Sequence, residues 1–239
     1  EASKYAIPNE FLTDHQIRLY GFHGISHKYV SEKAIEFLGL KSSKIITIHL
    51  GNGCSMTAIK DGKSVDHSMG FSPLDGLIMG TRSGDIDPSV IFYLKDKLKY
   101  HLKEINVLLN KKSGMLGLTG YSDLRDVEIM AAKGNADCIL ALHMSAYRIK
   151  KYIGSYAAVL NGLDAIVFTG GIGENSKLMR ELVCENLDFL GIEMDTEKNL
   201  NTSKGIQAIN TKNSKTTILI VPTNEELEIA KQSMKLIKN

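Results

Sequence analysis

Two glycine-rich turns, each following a run of apolar residues, limit the folds open to this chain more than any other feature of its sequence. The Ile-rich segment 44–50 leads into the turn 51–53, and the apolar segment 164–168 leads into the turn 169–175. Short buried strands that end in such turns are typical of α/β proteins, in which ligands bind at the carboxyl ends of the strands. Each turn alone also fits a simple packing turn, so the two become informative because they occur together.

The segments around these turns predict an α/β domain with a mixed sheet. A hairpin is expected because Asp61-Gly62, a strong turn dipeptide, separates two β-rich segments. The predicted elements are a helix capped by Ser26 and ending at Gly39, strands 44–50, 54–60 and 64–68, a helix opened by Asp87 and Pro88, helices over 123–160 broken at Gly134-Asn135, strand 164–168, a helix from Ser176 to about Leu190, strand 217–221, and a last helix with Thr223 and Glu226 as its capping box.

The charge balance and the cysteine content exclude several classes of function. The 239-residue chain has a formal net charge of only +2, with basic and acidic residues interspersed, so neither a nucleic acid nor a membrane surface is an expected partner. Its apolar runs are too short to span a bilayer. Cys54, Cys138 and Cys184 are widely separated and form no CxxC pair. This predicts neither a disulfide framework nor a zinc site, and it favours a reducing cytoplasm.

The turn 169–175 is suited to an anion, because glycines let a ligand approach the backbone and the start of a helix offers free N–H groups. It has Ser176 where a dinucleotide-binding fingerprint has its third glycine, and it lacks the Gly-Lys-Ser/Thr of a Walker loop. Nucleotide binding and a tight packing turn therefore both remain open at this point.

Histidine and arginine supply further candidates. His23 and His27 have the spacing of a zinc-binding helix, but Gly24 follows His23 and no third ligand is evident, so a metal site is not expected there. Arg82 stands in a glycine-flanked loop. Its planar cation suits phosphate or carboxylate, although a lone arginine in a loop is usually solvated.

Two pairs of acidic residues have the spacing to bind a metal ion, namely Asp85 with Asp87 and Glu225 with Glu226, but one member of each pair has a structural role. Asp87 is assigned to the cap before Pro88, and Glu226 is assigned to the capping box of the last helix. This assignment leaves Glu225 able to act near a cation.

Six further motifs stand in series along the chain, at residues 22–27, 49–53, 69–82, 110–117, 171–176 and 222–227. They resemble those of the acetate kinase family, in the same order and at similar spacings. The resemblance extends from about Tyr20 to the end of the chain. It implies an actin-like ATPase fold, that of the acetate and sugar kinase, Hsp70 and actin superfamily with a ribonuclease H-like mixed sheet, in which ATP lies in a cleft between two duplicated domains.

The same resemblance implies reversible phosphoryl transfer from ATP to acetate, giving acetyl phosphate and ADP, with Mg²⁺ or Mn²⁺. A carboxylate acceptor is already ionised at neutral pH, so the step needs charge neutralisation more than a strong base. His23 and Arg82 would stabilise the phosphoryl group in transfer, and Glu225 would help to hold the metal. The implied nucleotide-binding residues are His49, Leu50, Gly51, Asn52 and Gly53 on the phosphate side, and Asp123, Leu124, Arg125, Gly171, Ile172, Gly173, Glu174 and Asn175 on the adenosine side.

The N-terminal half of the family, with its substrate-binding arginine and catalytic aspartate, has no counterpart in these residues. The chain begins with Glu1, and residues 1–20 show no clear pattern, so it is expected to be the C-terminal part of a longer protein. The predicted division is an interdomain remnant at 1–20, a nucleotide-binding domain at 21–222 and a helix at 223–239 that would pack on the missing N-terminal domain. By the resemblance, we expect a homodimer through this half and little or no turnover by this part alone.

Two alternatives stay open from the sequence. A propionate or butyrate kinase shares the same chemistry, and the acyl preference would depend partly on the missing half. A non-catalytic nucleotide-binding or dimerisation module would bind nucleotide without forming an acyl phosphate.

Overall fold

The computed structural model describes residues 1–237. The chain forms two compact units, each assembled from separate stretches of sequence. The first unit comprises residues 1–21, 51–55 and 68–149, and the second comprises residues 22–50, 56–67 and those from 150 onwards. Within the described range, no helix is both long and apolar enough to cross a membrane.

The strands and helices are as follows in chain order. The strands are β1 (Lys44–Leu50), β2 (Cys54–Lys60), β3 (Lys63–His67), β4 (Ala165–Thr169), β5 (Gln207–Ala208) and β6 (Thr217–Ile220). The helices are α1 (Asn9–Thr13), α2 (Gly24–Leu38), α3 (Pro88–Asp96), α4 (Leu102–Lys111), α5 (Gly114–Thr119), α6 (Leu124–Ala132), α7 (Ala136–Leu160), α8 (Gly170–Asn175), α9 (Lys177–Cys184), α10 (Thr196–Leu200) and α11 (Glu225–Ile237), with a 3₁₀ turn at Asp188–Leu190.

The sheet has the order β3-β2-β1-β4-β6-β5. Strands β1, β4 and β6 are parallel, with Ile46 opposite Ile166 and Ile166 opposite Ile218. Strand β3 runs antiparallel to β2, and β5 runs antiparallel to β6. The predicted α/β class with a mixed sheet is confirmed.

Helix α2 packs on one face of the sheet in the second unit. Val30 and Ala34 of α2 are fully buried in a cluster that includes Ile45 and Val167. Because side chains alternate along a strand, every second residue of β1 after Ile45 points to the same face. The apolar layer near the start of β1 therefore gives way to Thr47 and then to a histidine at the end of the strand.

In the first unit, a long loop ahead of α3 is fixed by backbone hydrogen bonds to the α4–α5 junction. The N–H of Ser113 donates to the carbonyl oxygen of Thr81 at 3.1 Å, and the N–H of Met115 donates to that of Met79 at 2.9 Å. Met79 and Met115 are both buried. These bonds hold residues 79–82 as an irregular but defined segment.

Most predicted elements are confirmed within one or two residues. Asp87 caps α3 by accepting a hydrogen bond from the N–H of Ser89, with Pro88 at the first helical position. Gly39 ends α2 in the left-handed conformation, at φ 64°. The predicted break between α6 and α7 is also present.

Two predicted helix caps are wrong. Helix α2 begins at Gly24, and its N-cap is His23 in the left-handed conformation with φ 56°, so Ser26 lies inside the first turn. Helix α11 begins at Glu225 instead of directly after Thr223, because the Oδ1 atom of Asn224 accepts the N–H of Leu227 at 2.9 Å.

The prediction for the turn 169–175 and the helix after it is also wrong in detail. Strand β4 extends through Thr169, and Gly170–Asn175 forms one helical turn instead of an open loop. Ser176 caps α9 by accepting the N–H of Met179 at 3.0 Å. Helix α9 ends at Cys184 and does not reach Leu190, because Glu185 adopts an extended ψ of 134°.

Candidate functional site

In the second unit, His23 and His49 meet where α2 begins and β1 ends. Their rings stack with centroids 4.4 Å apart and an interplanar angle of 17°. The Nδ1 atom of His49 lies 2.9 Å from the Oγ atom of Ser26, and this hydroxyl lies 3.0 Å from the Oγ1 atom of Thr223. The side chain of His49 is thus oriented by one residue of α2 and one residue that precedes α11.

Burial keeps the histidines next to this point neutral. Desolvation, followed by the charge of His23, lowers the pKa of His49 from 6.5 to about 4. His27 is buried, its Nδ1 atom lies 2.7 Å from the Oγ1 atom of Thr47, and desolvation holds its pKa well below the usual value. His67 packs edge-on against His27, with ring centroids 5.3 Å apart. These four histidines form a polar layer above the apolar core beneath α2.

We predict that acid destabilises the protein through this layer. A folded-state pKa of His49 below its unfolded value means that unfolding takes up a proton, so the free energy of unfolding falls as the pH drops from 6.5 towards about 4. Each such group contributes a slope of up to about 1.4 kcal/mol per pH unit. Urea denaturation at a series of pH values measures this slope.

The variant His49→Gln tests the assignment because glutamine can still bond Ser26 but does not titrate. It is expected to flatten the acid slope, whereas His15→Gln, at an exposed histidine, is the matched control and should leave it unchanged. An equal slope in wild type and His49→Gln would contradict the prediction.

The glycine turn after β4 is held by its own glutamate. The Oε1 atom of Glu174 accepts the N–H of Gly170 at 3.1 Å and the N–H of Thr223 at 3.2 Å. Gly170 has φ 77°, and a Cβ there would lie 2.7 Å from the carbonyl oxygen of Leu50. Only glycine fits that position. The carboxylate of Glu174 thus acts within the turn, while Gly171 and Asn175 are exposed.

The remaining residues of this turn are enclosed to different degrees. Ile172 is half-buried, and Gly173 is buried. A ligand that approaches the turn from solvent therefore meets Gly171 and Asn175 before the other members.

In the first unit, the guanidinium of Arg82 is anchored through one of its nitrogen atoms. Its Nη1 atom donates to the carbonyl oxygen of Pro73 at 2.8 Å and also lies 3.5 Å from the Sδ atom of Met79. Within residues 1–237 no carboxylate forms an ion pair with Arg82, unlike Arg125 and Arg148. A guanidinium held by neutral acceptors at one nitrogen atom keeps its other N–H donors for an anion.

Asn52 lies beside the segment that carries Arg82. The N–H of Gly80 donates to the carbonyl oxygen of Asn52 at 3.2 Å, and a Cβ on Gly80 would lie 2.2 Å from the Asn52 Oδ1 atom. The structure thus brings Asn52 and Gly80 of the first unit together. Gly51 and Gly53 flank Asn52, and the N–H of Gly51 donates to the Gly53 carbonyl oxygen at 3.1 Å.

Asp123, Leu124 and Arg125 form the start of α6. Asp123 is the N-cap and accepts the Arg125 N–H at 2.9 Å, while the Nη2 atom of Arg125 lies 2.6 Å from the Asp123 Oδ2 atom. The hydrogen bonds from Arg125 lower the pKa of Asp123 to about 2. The side chain of Arg125 is 86% exposed, whereas Leu124 is buried.

Glu225 is the first residue of α11 and is half-buried. No group of three or more His, Cys, Asp or Glu side chains is arranged to hold a metal ion in the part of the chain that the structure describes. A single carboxylate suits only a divalent cation whose other ligands are water or groups of a bound ligand.

Sequence reasoning missed the shared role of Ser26 and Thr223, which it assigned to helix caps. It also missed Arg180, which is completely buried in α9. The sequence did contain an indication that Arg180 is buried. Position 180 lies among Met179, Val183 and Cys184, which form the buried side of α9, so its arginine interrupts an apolar face.

The mixed six-stranded sheet, with glycine turns after β1 and β4, is the α/β fold of the acetate and sugar kinase, Hsp70 and actin superfamily, as matches to solved acetate kinases confirm. The model of the acetokinase family matches residues 1–231. The chain belongs to the acetokinase family.

Individual relatives are similar over all or nearly all of the chain. The acetate kinase of Flavobacterium johnsoniae is 67% identical over 239 residues, which cover 100% of this chain and 60% of that protein. The crystal structure of Porphyromonas gingivalis acetate kinase matches with a TM-score of 0.95 and 46% identity, covering 99% of this chain and 60% of that one. The crystal structure of a propionate kinase from Francisella tularensis matches with a TM-score of 0.91 and 50% identity, covering 95% of this chain and 58% of that one. The chain thus spans about 60% of the length of the curated relatives it matches.

Proposed function

We propose that the whole protein containing this chain is an acetate kinase, which transfers a phosphoryl group reversibly from ATP to acetate and yields acetyl phosphate and ADP. The observation that carries the proposal is the 67% identity to the F. johnsoniae acetate kinase along all 239 residues. Because the chain spans 60% of that relative, the activity is assigned to the whole protein. The chain alone is expected to bind nucleotide weakly and to turn over little or nothing.

Arg82 and His23 are proposed to stabilise the phosphoryl group in transfer. The geometry of Arg82 supports this role, because its guanidinium is fixed by Pro73 and has no carboxylate partner among residues 1–237. His23 is supported by its stacked contact with His49, which fixes the plane of its ring. Fixed donors aimed at developing charge need little reorganisation during the reaction.

The nucleotide-binding residues remain those proposed from the resemblance, with their modes of action refined. The backbone of Gly171 and the exposed side chain of Asn175 are proposed to contact the nucleotide. Glu174 is proposed to act by holding the turn in place. Leu124 is buried, so its proposed part is limited to its backbone. Glu225 is proposed to give one carboxylate to Mg²⁺ or Mn²⁺, which would neutralise phosphate charge when bound.

A chimera tests the function directly. This chain replaces the matched 60% of the F. johnsoniae acetate kinase, and ATP-dependent acetyl phosphate formation is measured. We expect turnover within the range of the natural enzyme. A folded chimera that binds ATP in calorimetry but forms no acyl phosphate would favour a non-catalytic nucleotide-binding module instead.

Propionate kinase is the second candidate, because a protein of that name from F. tularensis is 50% identical and has the same fold. The ratio of kcat/KM for acetate and propionate in the chimera separates the two. A higher value for propionate would overturn acetate as the substrate. Butyrate serves as a third, longer acyl chain in the same assay.

We further propose a homodimer. Its support is the exposure of large apolar side chains in the first unit. Helix α3 has no buried residue and exposes Phe92 and Tyr93, and α7 exposes Leu140 and Tyr147. Large exposed aromatic and apolar side chains are typical of protein–protein interfaces. Sedimentation velocity of the wild-type protein is expected to show a dimer. The variant Phe92→Glu is expected to be a monomer. The control Phe37→Glu, at an exposed phenylalanine on α2, should remain a dimer. A wild-type monomer at micromolar concentration would contradict the proposal.

The whole protein is proposed to contain a further N-terminal domain against which the last helix packs. Leu227, Ile229 and Met234 of α11 are exposed, which supports a partner for this helix. The division into 1–20, 21–222 and 223–239 stays a prediction, and residues 238 and 239 of its last segment lie outside the described residues.

We also propose a cytoplasmic location, which is supported by three free, buried cysteines.

A further inference from the structure

Arg180 is a completely buried cation that contacts neutral acceptors. Its Nη1 atom donates to the carbonyl oxygens of Gly173 and Glu174, both at 2.9 Å, and its Nε atom donates to the Oδ1 atom of Asn199 at 2.8 Å. It is 0% exposed, and in residues 1–237 no carboxylate forms an ion pair with it. The guanidinium therefore lies within a set of carbonyl and amide oxygens.

The two carbonyl groups belong to the end of the glycine turn. Helix α8 has only six residues, which is too short to be stable by itself, and the last carbonyl groups of a helix lack intrahelical donors. The Ser176 N–H donates to the Ile172 carbonyl oxygen at 2.8 Å, and Arg180 supplies donors to the next two residues. The end of the turn is thus completed by a side chain from α9.

Asn199 fixes Arg180 in turn. This residue is also 0% exposed, and its Nδ2 atom donates to the carbonyl oxygen of Lys177 at 3.0 Å while its Oδ1 atom accepts from Arg180. The guanidinium is a planar fork with five N–H donors, so it can serve several acceptors in one plane. We call Arg180 and Asn199 the carbonyl clamp.

Burying the charge of Arg180 has a free-energy cost that only its hydrogen bonds can offset. Burial lowers the pKa of Arg180 to about 10, which leaves it protonated at neutral pH. A buried charge without a counter-ion carries a large desolvation cost, and well-packed apolar residues often give equal or greater stability at such sites. An apolar residue at this position could not donate to the carbonyl oxygens of Gly173 and Glu174, so the role specific to the cation is to bind two carbonyl groups of one turn.

We propose that Arg180 is a positioning residue for nucleotide binding, which holds the turn Gly170–Asn175 in its binding conformation through the carbonyl groups of Gly173 and Glu174. The proposal rests on the proposed function, since it assigns the turn to the nucleotide. It adds a residue that has no direct contact with the ligand and acts through the backbone of the turn.

The first test needs no activity. Hydrogen exchange is measured in the chain for Arg180→Met, which removes the donors, and for Val183→Ala, which removes buried volume from the same helix. In Arg180→Met the amides of residues 170–176 are expected to exchange at least about tenfold faster, the effect of losing one hydrogen bond to a charged group, relative to those of β4. Unchanged protection of the turn would overturn the clamp.

The second test uses the chimera and separates the clamp from general stability. Arg180→Met is expected to raise the KM for ATP by about tenfold or more while the KM for acetate stays unchanged. Arg180→Lys should restore part of the ATP affinity, because an ammonium group still donates to the carbonyl groups. Val183→Ala should lower the melting temperature without changing the KM for ATP.

The outcomes distinguish the inference from the function on which it rests. An equal rise of the KM for ATP in Arg180→Met and Val183→Ala would reduce Arg180 to a structural residue and overturn the proposal. If Arg180→Met does not fold, a KM for ATP in Arg180→Lys equal to that of wild type would overturn it. A wild-type chimera without ATP binding would reject the proposed function, while faster exchange of the turn in Arg180→Met would still show the clamp itself.

Discussion

Replacing Arg82 with alanine in the chimera is expected to lower kcat by about 10³-fold or more, the range found for arginines that stabilise a transferring phosphoryl group. The guanidinium is anchored to the Pro73 carbonyl oxygen and has no carboxylate partner within the described residues, so an incoming anion meets a fixed charge. The KM values should change much less than kcat, because an interaction made in the transition state mainly affects turnover. Steady-state kinetics in both reaction directions provide the measurement.

Two variants serve as controls for this prediction. Arg18→Ala removes another arginine of the first unit, one that lies over the ring of Tyr20, and should leave kcat unchanged. Arg82→Lys keeps the charge but loses the planar fork, so its kcat should fall between those of wild type and Arg82→Ala. A kcat for Arg82→Ala close to that of wild type would remove Arg82 from the proposed site.

Replacing Gly114 with alanine should destabilise the first unit by at least about 2 kcal/mol, more than a left-handed backbone alone accounts for. Gly114 has φ 61°, and an added Cβ would lie 2.1 Å from the carbonyl oxygen of Met79 and 2.6 Å from that of Arg82. Both neighbours are backbone atoms, so they cannot move aside without shifting the segment that carries Arg82. Urea denaturation of the chain measures the loss of stability.

Gly120 provides a matched control at the other end of α5. It is also left-handed, at φ 84°, but a Cβ there would meet no atom within 4 Å. Gly120→Ala should therefore cost only the backbone term, about 1–2 kcal/mol. Equal losses in the two variants would mean that the contacts with Met79 and Arg82 carry no strain. In the chimera, Gly114→Ala should also lower kcat, because the same shift displaces Arg82.

Among the described residues, the sequence predicted every strand except the two-residue β5, and six of the eleven α-helices, because their patterns are local. The apolar run of β1 and the Asp-Pro start of α3 need only neighbouring residues to be recognised. The cap at Ser26 was wrong because its hydroxyl bonds His49 and Thr223, which are 23 and 197 residues away along the chain. No local rule anticipates a partner at that distance.

The candidate site shows the same division between local and distant information. Motif resemblance named Glu174 as a nucleotide-binding residue, but it could not indicate that the carboxylate accepts the N–H of Thr223. The pairing of His23 with His49 likewise depends on α2 crossing the end of β1. The sequence indicates which residues belong to the candidate site and in what order. Only the three-dimensional contacts show which of these residues are available to a ligand and which hold the others in place.

The burial of all three cysteines has a practical consequence for thiol chemistry. Cys54 and Cys184 have pKa values raised by burial to about 11 and about 12, so the thiolates of these two residues are scarce at neutral pH, and burial alone shields the sulfur of Cys138 from a reagent. Gly171, by contrast, is exposed, and a Cβ there would meet no atom within 4 Å. A maleimide dye would therefore attach selectively to a Gly171→Cys variant without prior removal of the native cysteines. Such a label would place a fluorescent reporter on the glycine turn itself.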